Sequence, residues 1–168
     1  MKVSFNYVLK IACFIALILL ILALNFTRIR VTSGSMEPTI CEGEMLLVRH
    51  TKHLERGDVA MFYSRDCMSY VVKRVIGKGG DIVDIRNGSV YLNGTYLAED
   101  YVSSFYDYTG TFYVPDGSYF MLGDNRADSY DSRKWSNAYV PKGDIVGICY
   151  KAGRLKLEKV SSKRKEDR

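Results

Sequence analysis

The sequence lacks the cysteine and histidine patterns that hold metal ions. Its 168 residues include two histidines and four cysteines, and no two cysteines form a Cys-x-x-Cys pair. We therefore predict no zinc site, no other metal and no cofactor. The cysteines also give no disulfide framework, and a bridge from Cys41 to Cys149 or Cys67 has no support in their spacing. The four cysteines are Cys13, Cys41, Cys67 and Cys149.

An excess of basic charge is missing from most of the chain. Residues 1–150 carry sixteen basic and sixteen acidic side chains, so the net charge of +5 comes entirely from residues 151–168. Without a basic surface excess in the body, nucleic acid is not an expected partner. The tail, residues 153–168, is expected to be solvated, and contact with anionic lipid is the alternative.

A long apolar run near the N-terminus predicts a membrane anchor over residues 8–26, after a short N-terminal segment at 1–7. About 19 helical residues at about 1.5 Å each come close to the thickness of a bilayer's hydrocarbon core. The alternative is a cleaved signal peptide, because residues 11–24 form a fully apolar core of only fourteen residues. No small-x-small cleavage signature follows that core, which favours the anchor.

The direction in which the anchor crosses the membrane is not fixed by charge. Lys2 and Lys10 before the apolar run balance Arg28 and Arg30 after it.

Residues 27–152 have the signals of short strands and tight turns, and no long amphipathic helix competes with them. Asn87-Gly88 and Asn93-Gly94 are dipeptides that favour hairpin turns. We therefore predict an all-β domain. The predicted strands are 45–49, 59–63, 69–76, 82–86, 90–92, 95–97, 111–114, 118–122 and 145–150.

Ser35 is a candidate nucleophile in the run Ser33-Gly34-Ser35-Met36-Glu37-Pro38-Thr39. The glycine and the proline predict a turn at this point rather than a helix or a central strand. A serine hydroxyl becomes a good nucleophile only when a neighbouring base takes its proton. Taken alone, the run is typical of a surface loop.

The base is expected to be a lysine, because both histidines, His50 and His53, lie in a charged and solvated segment. A lysine can act as a base when burial lowers its pKa from about 10.4. Lys73 lies in the apolar run 71–76, where strand alternation puts it on one face and Arg74 on the other. The alternative is an edge strand whose lysine prevents aggregation.

A third cluster at residues 123–133 contains turn formers, carboxylates and arginines. Alone, it is typical of a salt-bridged loop. Beside the serine and lysine it could orient the base, with Ser129 bonding an ammonium and Asp131 pairing with Arg133 or Arg74.

Taken together and in this order, these segments resemble the bacterial type I signal peptidases, which are membrane-bound Ser/Lys leader peptidases. The likeness spans nearly the whole chain. Besides the anchor, the matching stretches are residues 33–39, 56–59 (Arg-Gly-Asp-Val), 70–77 (Tyr-Val-Val-Lys-Arg-Val-Ile-Gly) and 123–133.

The resemblance implies roles for the matching residues. Ser35 would be the nucleophile and Lys73 the general base, and Ser33 would offer its hydroxyl to the oxyanion beside the Ser35 backbone N–H. Ser129 would hold Lys73 in place. The supporting ion pair would be Asp131 with Arg133.

The resemblance also implies a partly barrel-like β domain on the outer side of the cell membrane, acting as a monomer. Residues 1–7 would then be a short cytoplasmic N-terminus. The partners of the protein would be secretory precursor proteins and the phospholipid membrane. It would cut after small residues at the first and third positions before the scissile bond. The expected pocket walls are Val31, Met36, Ile40, Val71 and Val72.

Two positions depart from the family's pattern. Residues 77–81 read Gly-Lys-Gly-Gly-Asp where the family has Gly-Leu-Pro-Gly-Asp, and a glycine commonly found near residues 135–137 is missing. The short interval from Lys73 to Asp124 predicts a minimal catalytic core.

Two other functions stay open on sequence grounds. One is a self-cleaving Ser/Lys protease, which the N-terminal anchor disfavours. The other is a membrane-tethered β domain that binds without catalysis, in which Ser35 belongs to a loop.

Overall fold

The computed structural model describes residues 5–152 and 157–159. One helix, α1 (Phe5–Asn25), begins it, and its stretch Tyr7–Asn25 is long and apolar enough to cross a membrane, with a mean hydropathy of 2.8. The helix ends one residue before the expected end of the anchor, because Phe26 already belongs to the first strand. The segment 1–4 of the expected cytoplasmic N-terminus lies outside the described residues.

Twelve strands and one short 3-10 helix follow α1 in the described residues. All nine predicted strands are present, with ends that differ by at most two residues. Three strands were not predicted: β1, β10 and β12. The strands are β1 (Phe26–Arg30), β2 (Met45–His50), β3 (Val59–Ser64), β4 (Ser69–Lys78), β5 (Ile82–Arg86), β6 (Ser89–Leu92), β7 (Thr95–Tyr96), β8 (Gly110–Tyr113), β9 (Ser118–Leu122), β10 (Tyr139–Pro141), β11 (Ile145–Ala152) and β12 (Leu157–Lys159), and the 3-10 helix is Lys142–Asp144.

The strands form two antiparallel sheets. The large sheet has the order β1-β2-β11-β3-β4-β9-β10, with β12 also paired to β11, and the small sheet has the order β7-β6-β5-β8. The large sheet curls into a half-barrel, which confirms the predicted all-β, partly barrel-like domain after one apolar helix. Most of the expected tail at 153–168 lies outside the described residues, and the part that is described forms β12.

The two Asn-Gly dipeptides form the hairpin turns that the sequence predicted. Asn87 and Gly88 have φ angles of 46° and 79°, and Asn93 and Gly94 have φ angles of 52° and 81°. Two consecutive positive φ angles match the right-handed twist of the flanking strands. These turns connect β5, β6 and β7 in the small sheet.

Strand β4 occupies the position that matters for the site. Residues 69–74 pair with β3 and residues 74–78 pair with β9, so Lys73 has a strand partner on the β3 side, just before the pairing with β9 begins. Its second half is buried on both faces. Two apolar clusters cover this half, one that includes Val75 on one face and one that includes Ile76 on the other. A charged side chain in the buried stretch is therefore removed from water.

Candidate active site

The two neighbouring cations of β4 are both buried. Lys73 is 4% exposed and Arg74 is fully buried, on opposite faces of the strand as the alternation predicted. Burial disfavours the charged form of an amine, and it lowers the pKa of Lys73 to about 8, although the charge of Asp131 acts in the opposite direction. A guanidinium keeps its proton in proteins, so Lys73 alone of these two can exist as a neutral base near neutral pH.

Ser35 lies in a tight turn, residues 33–40, which we name the Ser35 turn. The N–H of Glu37 donates to the carbonyl of Gly34 at 3.0 Å, and the N–H of Ile40 donates to the carbonyl of Met36 at 2.9 Å. Met36 and Ile40 are buried in an apolar cluster with side chains of β2 and β3. The buried side chains thus fix the turn to the large sheet, and the turn itself is the one that the glycine and the proline predicted.

The Ser35 turn brings its hydroxyl to Lys73. The two groups form a hydrogen bond with 2.6 Å between Lys73 Nζ and Ser35 Oγ, and the Ser33 hydroxyl lies 3.4 Å from Ser35 Oγ. A buried amine with a lowered pKa at this distance can take a proton from a hydroxyl. The structure therefore brings together the three residues that the sequence proposed for the reacting centre.

The 123–133 loop closes over the Ser35 turn from the end of β9. The backbone N–H of Asn125 donates to the carbonyl of Ser35 at 3.1 Å, and its side-chain amide donates to the carbonyl of Gly34 at 3.2 Å. Gly123 comes so close that a β-carbon there would lie 2.6 Å from the Ser35 carbonyl oxygen and 2.3 Å from the Ser129 hydroxyl. Glycine is required at position 123 for this contact.

Asp131 pairs with Arg133, one of the two partners that the sequence allowed. Two hydrogen bonds of 2.8 Å join the guanidinium to the carboxylate, and the backbone N–H of Gly123 donates to it at 3.0 Å. Burial would raise the pKa of Asp131, but these hydrogen bonds and the charge of Arg133 hold it below its usual value. Asp131 is thus ionised and opposes the neutralisation of Lys73.

Ser129 makes no hydrogen bond to Lys73 in this structure. Its hydroxyl is buried without a hydrogen bond of good geometry, although it lies near enough to Asp131 to help lower the pKa of that carboxyl. Ser129 does line a pocket together with Ser35 and Lys73. Its expected role of holding the lysine stays a prediction.

Two pockets meet at the Ser35 and Lys73 pair. The first has a volume of about 530 Å³ and contains all five expected wall residues. Further lining residues that the sequence did not suggest include Ile29, Met61 and Tyr70. The second pocket has a volume of about 420 Å³ and lies between the β3–β4 hairpin and the 123–133 loop.

A buried network beneath the site escaped the sequence analysis. The guanidinium of Arg74 makes two hydrogen bonds to Asp124, of 2.8 and 2.5 Å, and it lies 3.9 Å from the ring centre of Tyr101. Tyr101 donates to Glu99, which in turn forms an ion pair with Arg126. These contacts fix the start of the 123–133 loop to β4. The only signal for these contacts in the sequence was the presence of acidic and basic residues in that loop.

Within the described part of the chain, no group of three or more acidic, histidine or cysteine side chains is arranged to hold a metal ion. The four cysteines are free thiols.

Comparison with known proteins relates the sequence of this chain to one family. Residues 4–151 match the model of the family described as "Signal peptidase, peptidase S26". The chain belongs to the signal peptidase family. It is 38% identical to signal peptidase I of Bacillus amyloliquefaciens over 79% of this chain and 76% of that protein.

Other members of the signal peptidase family are similar to the same degree. Signal peptidase I T of Bacillus subtilis is 37% identical over 71% of this chain and 69% of its own length. The probable signal peptidase I-2 of Synechocystis is 36% identical over 71% of this chain, and the match spans 59% of its own length. The family assignment made from the sequence is confirmed, and so is the prediction that the chain is a peptidase.

Proposed function

We propose that this protein is a membrane-bound serine endopeptidase that removes N-terminal signal peptides from secretory precursors. Membership of the signal peptidase family supports the reaction class. The observation that carries the proposal for this chain is the 2.6 Å contact between the buried Lys73 amine and the Ser35 hydroxyl. A serine and a lysine in this arrangement form a nucleophile and its base.

The proposed reaction begins with neutral Lys73 taking the proton of Ser35 while Oγ attacks the scissile carbonyl carbon. The Ser33 hydroxyl and the Ser35 backbone N–H donate to the oxyanion that forms. As the carbon–nitrogen bond breaks, the Lys73 ammonium returns its proton to the leaving amine. Water then attacks the acyl-enzyme with Lys73 again as the base, which releases the acid product and restores Ser35.

The first pocket supports cleavage after small residues. Its apolar wall includes Val31, Met36, Ile40 and Val72, and it opens directly at Ser35. A substrate that places its carbonyl at Ser35 Oγ would present the side chains before the cut to this wall. An Ala-x-Ala sequence buries two methyl groups there without needing polar partners.

The membrane part of the proposal rests on α1. The described side chains of Tyr7–Asn25 are exposed, and this apolar stretch suits the hydrocarbon core of a bilayer. In the proposed topology, the β domain lies outside the cytoplasm, where translocated precursors present their cleavage sites. The protein would act on them as a membrane-bound monomer.

Cleavage of a precursor with an Ala-x-Ala site, in detergent, tests the function. We expect the wild type to cut after that site and Ser35→Ala and Lys73→Met to be inactive but folded. Lys78→Met is the matched control, because Lys78 lies on the same strand in a surface ion pair with Glu55; this variant should cut normally. If Ser35→Ala cuts like the wild type, or if the wild type cuts no precursor, a tethered binding domain becomes the better interpretation. Cleavage only within its own chain would instead indicate a self-cleaving protease.

A further inference from the structure

The second pocket has no function in the reaction as described so far. Ser35 and Lys73 line it together with Cys67 and Val71 of the β3–β4 hairpin. Residues 127–130 also line it, and neither they nor Cys67 line the first pocket. The second pocket thus joins the reacting groups to a part of the surface that the first pocket does not include.

A peptide cut at Ser35 must extend in both directions from the hydroxyl. If the residues before the cut occupy the first pocket, the chain after the cut has to leave on the other side of Ser35 Oγ. Ser33, Ser35, Val71 and Lys73 line both pockets, so the two clefts form one path that crosses the dyad. Lys73 Nζ also has to reach the leaving amine, which belongs to the chain after the cut.

We propose that the second pocket binds the first residues of the mature chain, and that Cys67 limits the size of the residue directly after the scissile bond. This inference rests on the proposed function, because it names where the leaving half of the same substrate lies. Cys67 is a specificity-determining residue in this scheme and takes no part in bond making.

The composition of the second pocket suits a chain that returns to water. Val71 and Ala127 offer small apolar contacts near the dyad, whereas Asp128, Tyr130 and Lys134 line the cleft with polar groups. A small side chain would pack near the dyad, and polar residues beyond it would meet these groups and the solvent.

Cys67 lies close to the reacting groups, because it lines the second pocket together with Ser35 and Lys73. The Cys67 N–H donates to the Ser64 hydroxyl at 3.2 Å, which fixes the turn that carries the thiol.

The thiol itself allows a test of the path that does not depend on activity. Cys67 and Cys41 are both accessible, whereas Cys149 is buried. In a Ser35→Ala background with Cys13→Ala, adding Cys41→Ser leaves Cys67 as the reactive thiol, and adding Cys67→Ser instead leaves Cys41 as its matched control. The thiol adds across the double bond of an N-alkylmaleimide, and no leaving group is released. The labelling rate therefore reports directly how accessible the thiol is.

Two peptides separate the two halves of the path. One ends at the residue before the cut, and the other continues for three residues beyond it. At ten times its Kd, the longer peptide should slow labelling of Cys67 roughly tenfold, since only the free protein reacts. The shorter peptide should leave the Cys67 rate unchanged, and neither peptide should protect Cys41. Equal protection by both peptides, or protection by neither, overturns the inference.

Cleavage assays in the active form test the size limit. With Ser35 restored, the enzyme alkylated at Cys67 by a bulky maleimide should lose roughly tenfold or more in kcat/KM when leucine or tryptophan follows the cut. The loss should be smaller when alanine follows it. Cys67→Ala should cut the bulky substrates faster than the wild type does. Alkylation of Cys41 should leave kcat/KM unchanged for both kinds of substrate. An equal loss on all substrates, or no loss, overturns the role of Cys67, whereas a wild type that cuts no precursor overturns the proposed function instead.

Discussion

The backbone N–H of Asn125 donates a hydrogen bond of 3.1 Å to the carbonyl oxygen of Ser35. The side-chain amide of the same residue donates to the carbonyl of Gly34 at 3.2 Å. That carbonyl belongs to the peptide group whose N–H is the Ser35 N–H, the proposed donor to the oxyanion. Because a peptide group is planar, holding its oxygen also sets the direction in which its N–H points.

Replacing Asn125 should therefore affect the chemical step more than substrate binding. We predict that Asn125→Ala lowers kcat about tenfold, the effect of losing roughly one hydrogen bond's worth of free energy, with little change in KM. Ser104→Ala is the matched control, because it removes the hydrogen bond to the Asn125 side-chain oxygen and leaves the amide donor in place; its effect should be smaller. A rise in KM with unchanged kcat would show that Asn125 acts on binding and not on the orientation of the peptide group.

A methyl group at Gly123 should disturb the site through its contacts. The β-carbon of Gly123→Ala would overlap the Ser129 hydroxyl and the Ser35 carbonyl oxygen, so the Ser35 turn and the loop would have to separate. We predict a loss of at least about a hundredfold in kcat/KM, since a shift of about 1 Å at the reacting atoms costs that much. Gly143→Ala is the control, because no atom lies within 4 Å of its new β-carbon and its φ angle is not positive. Full activity in Gly123→Ala would show that the loop can move without consequence.

The pH dependence of cleavage should follow the protonation of Lys73. The pKa of Lys73 is lowered to about 8 by burial, and only the neutral amine can accept the serine proton. As the pH falls below 8, the neutral fraction decreases about tenfold per unit, so kcat/KM at pH 6 should be about a hundredth of its alkaline plateau. The measurement is kcat/KM from pH 5 to 10 at constant ionic strength. A flat profile down to pH 5 would contradict the role of Lys73 as the base.

Breaking the buried pair of Arg74 and Asp124 should destabilise the protein. Arg74→Met would leave the Asp124 carboxylate buried and unpaired, which typically costs about 3–5 kcal/mol. Arg65→Met provides the matched control, because Arg65 pairs with Asp144 at the surface and should contribute less than about 1 kcal/mol. Denaturant titration of each variant in detergent gives the free energies of unfolding. The double variant Arg74→Met with Asp124→Leu should recover part of the loss, and failure to recover would show that the ion pair itself is needed.

Local patterns in the sequence were sufficient to predict the strand that carries Lys73 and the turn that carries Ser35. The period-2 alternation around Lys73 and Arg74 placed them on opposite faces of a strand, and an apolar run on both faces implied burial. The Ser35 turn followed from a glycine and a proline, which act on the backbone locally. The walls of the first pocket, in contrast, came from the resemblance to the family.

Contacts between segments that are far apart in the sequence could not be predicted in the same way. Arg74 meets Asp124 fifty residues later, and several acids in the 123–133 loop had the right charge for it. Asn125 carried no signal, because its role depends on where the loop crosses the Ser35 turn. Among the strands, β10 is only three residues long and ends in Pro141, and β1 directly continues the apolar helix, so neither stood out as a separate run.

Because α1 continues directly into β1, the distance between the end of the helix and Ser35 is limited. No linker separates Asn25 from Phe26, and every residue of β1 is paired with β2. Ser35 follows Asn25 by only ten residues, a reach of at most about 35 Å even if fully extended. With the helix in a bilayer, as proposed, the reacting hydroxyl therefore lies within this distance of the end of the membrane span. In the proposed function, a precursor is cut where its own chain comes within this distance of the lipid, so the length of its hydrophobic segment would help to select the bond.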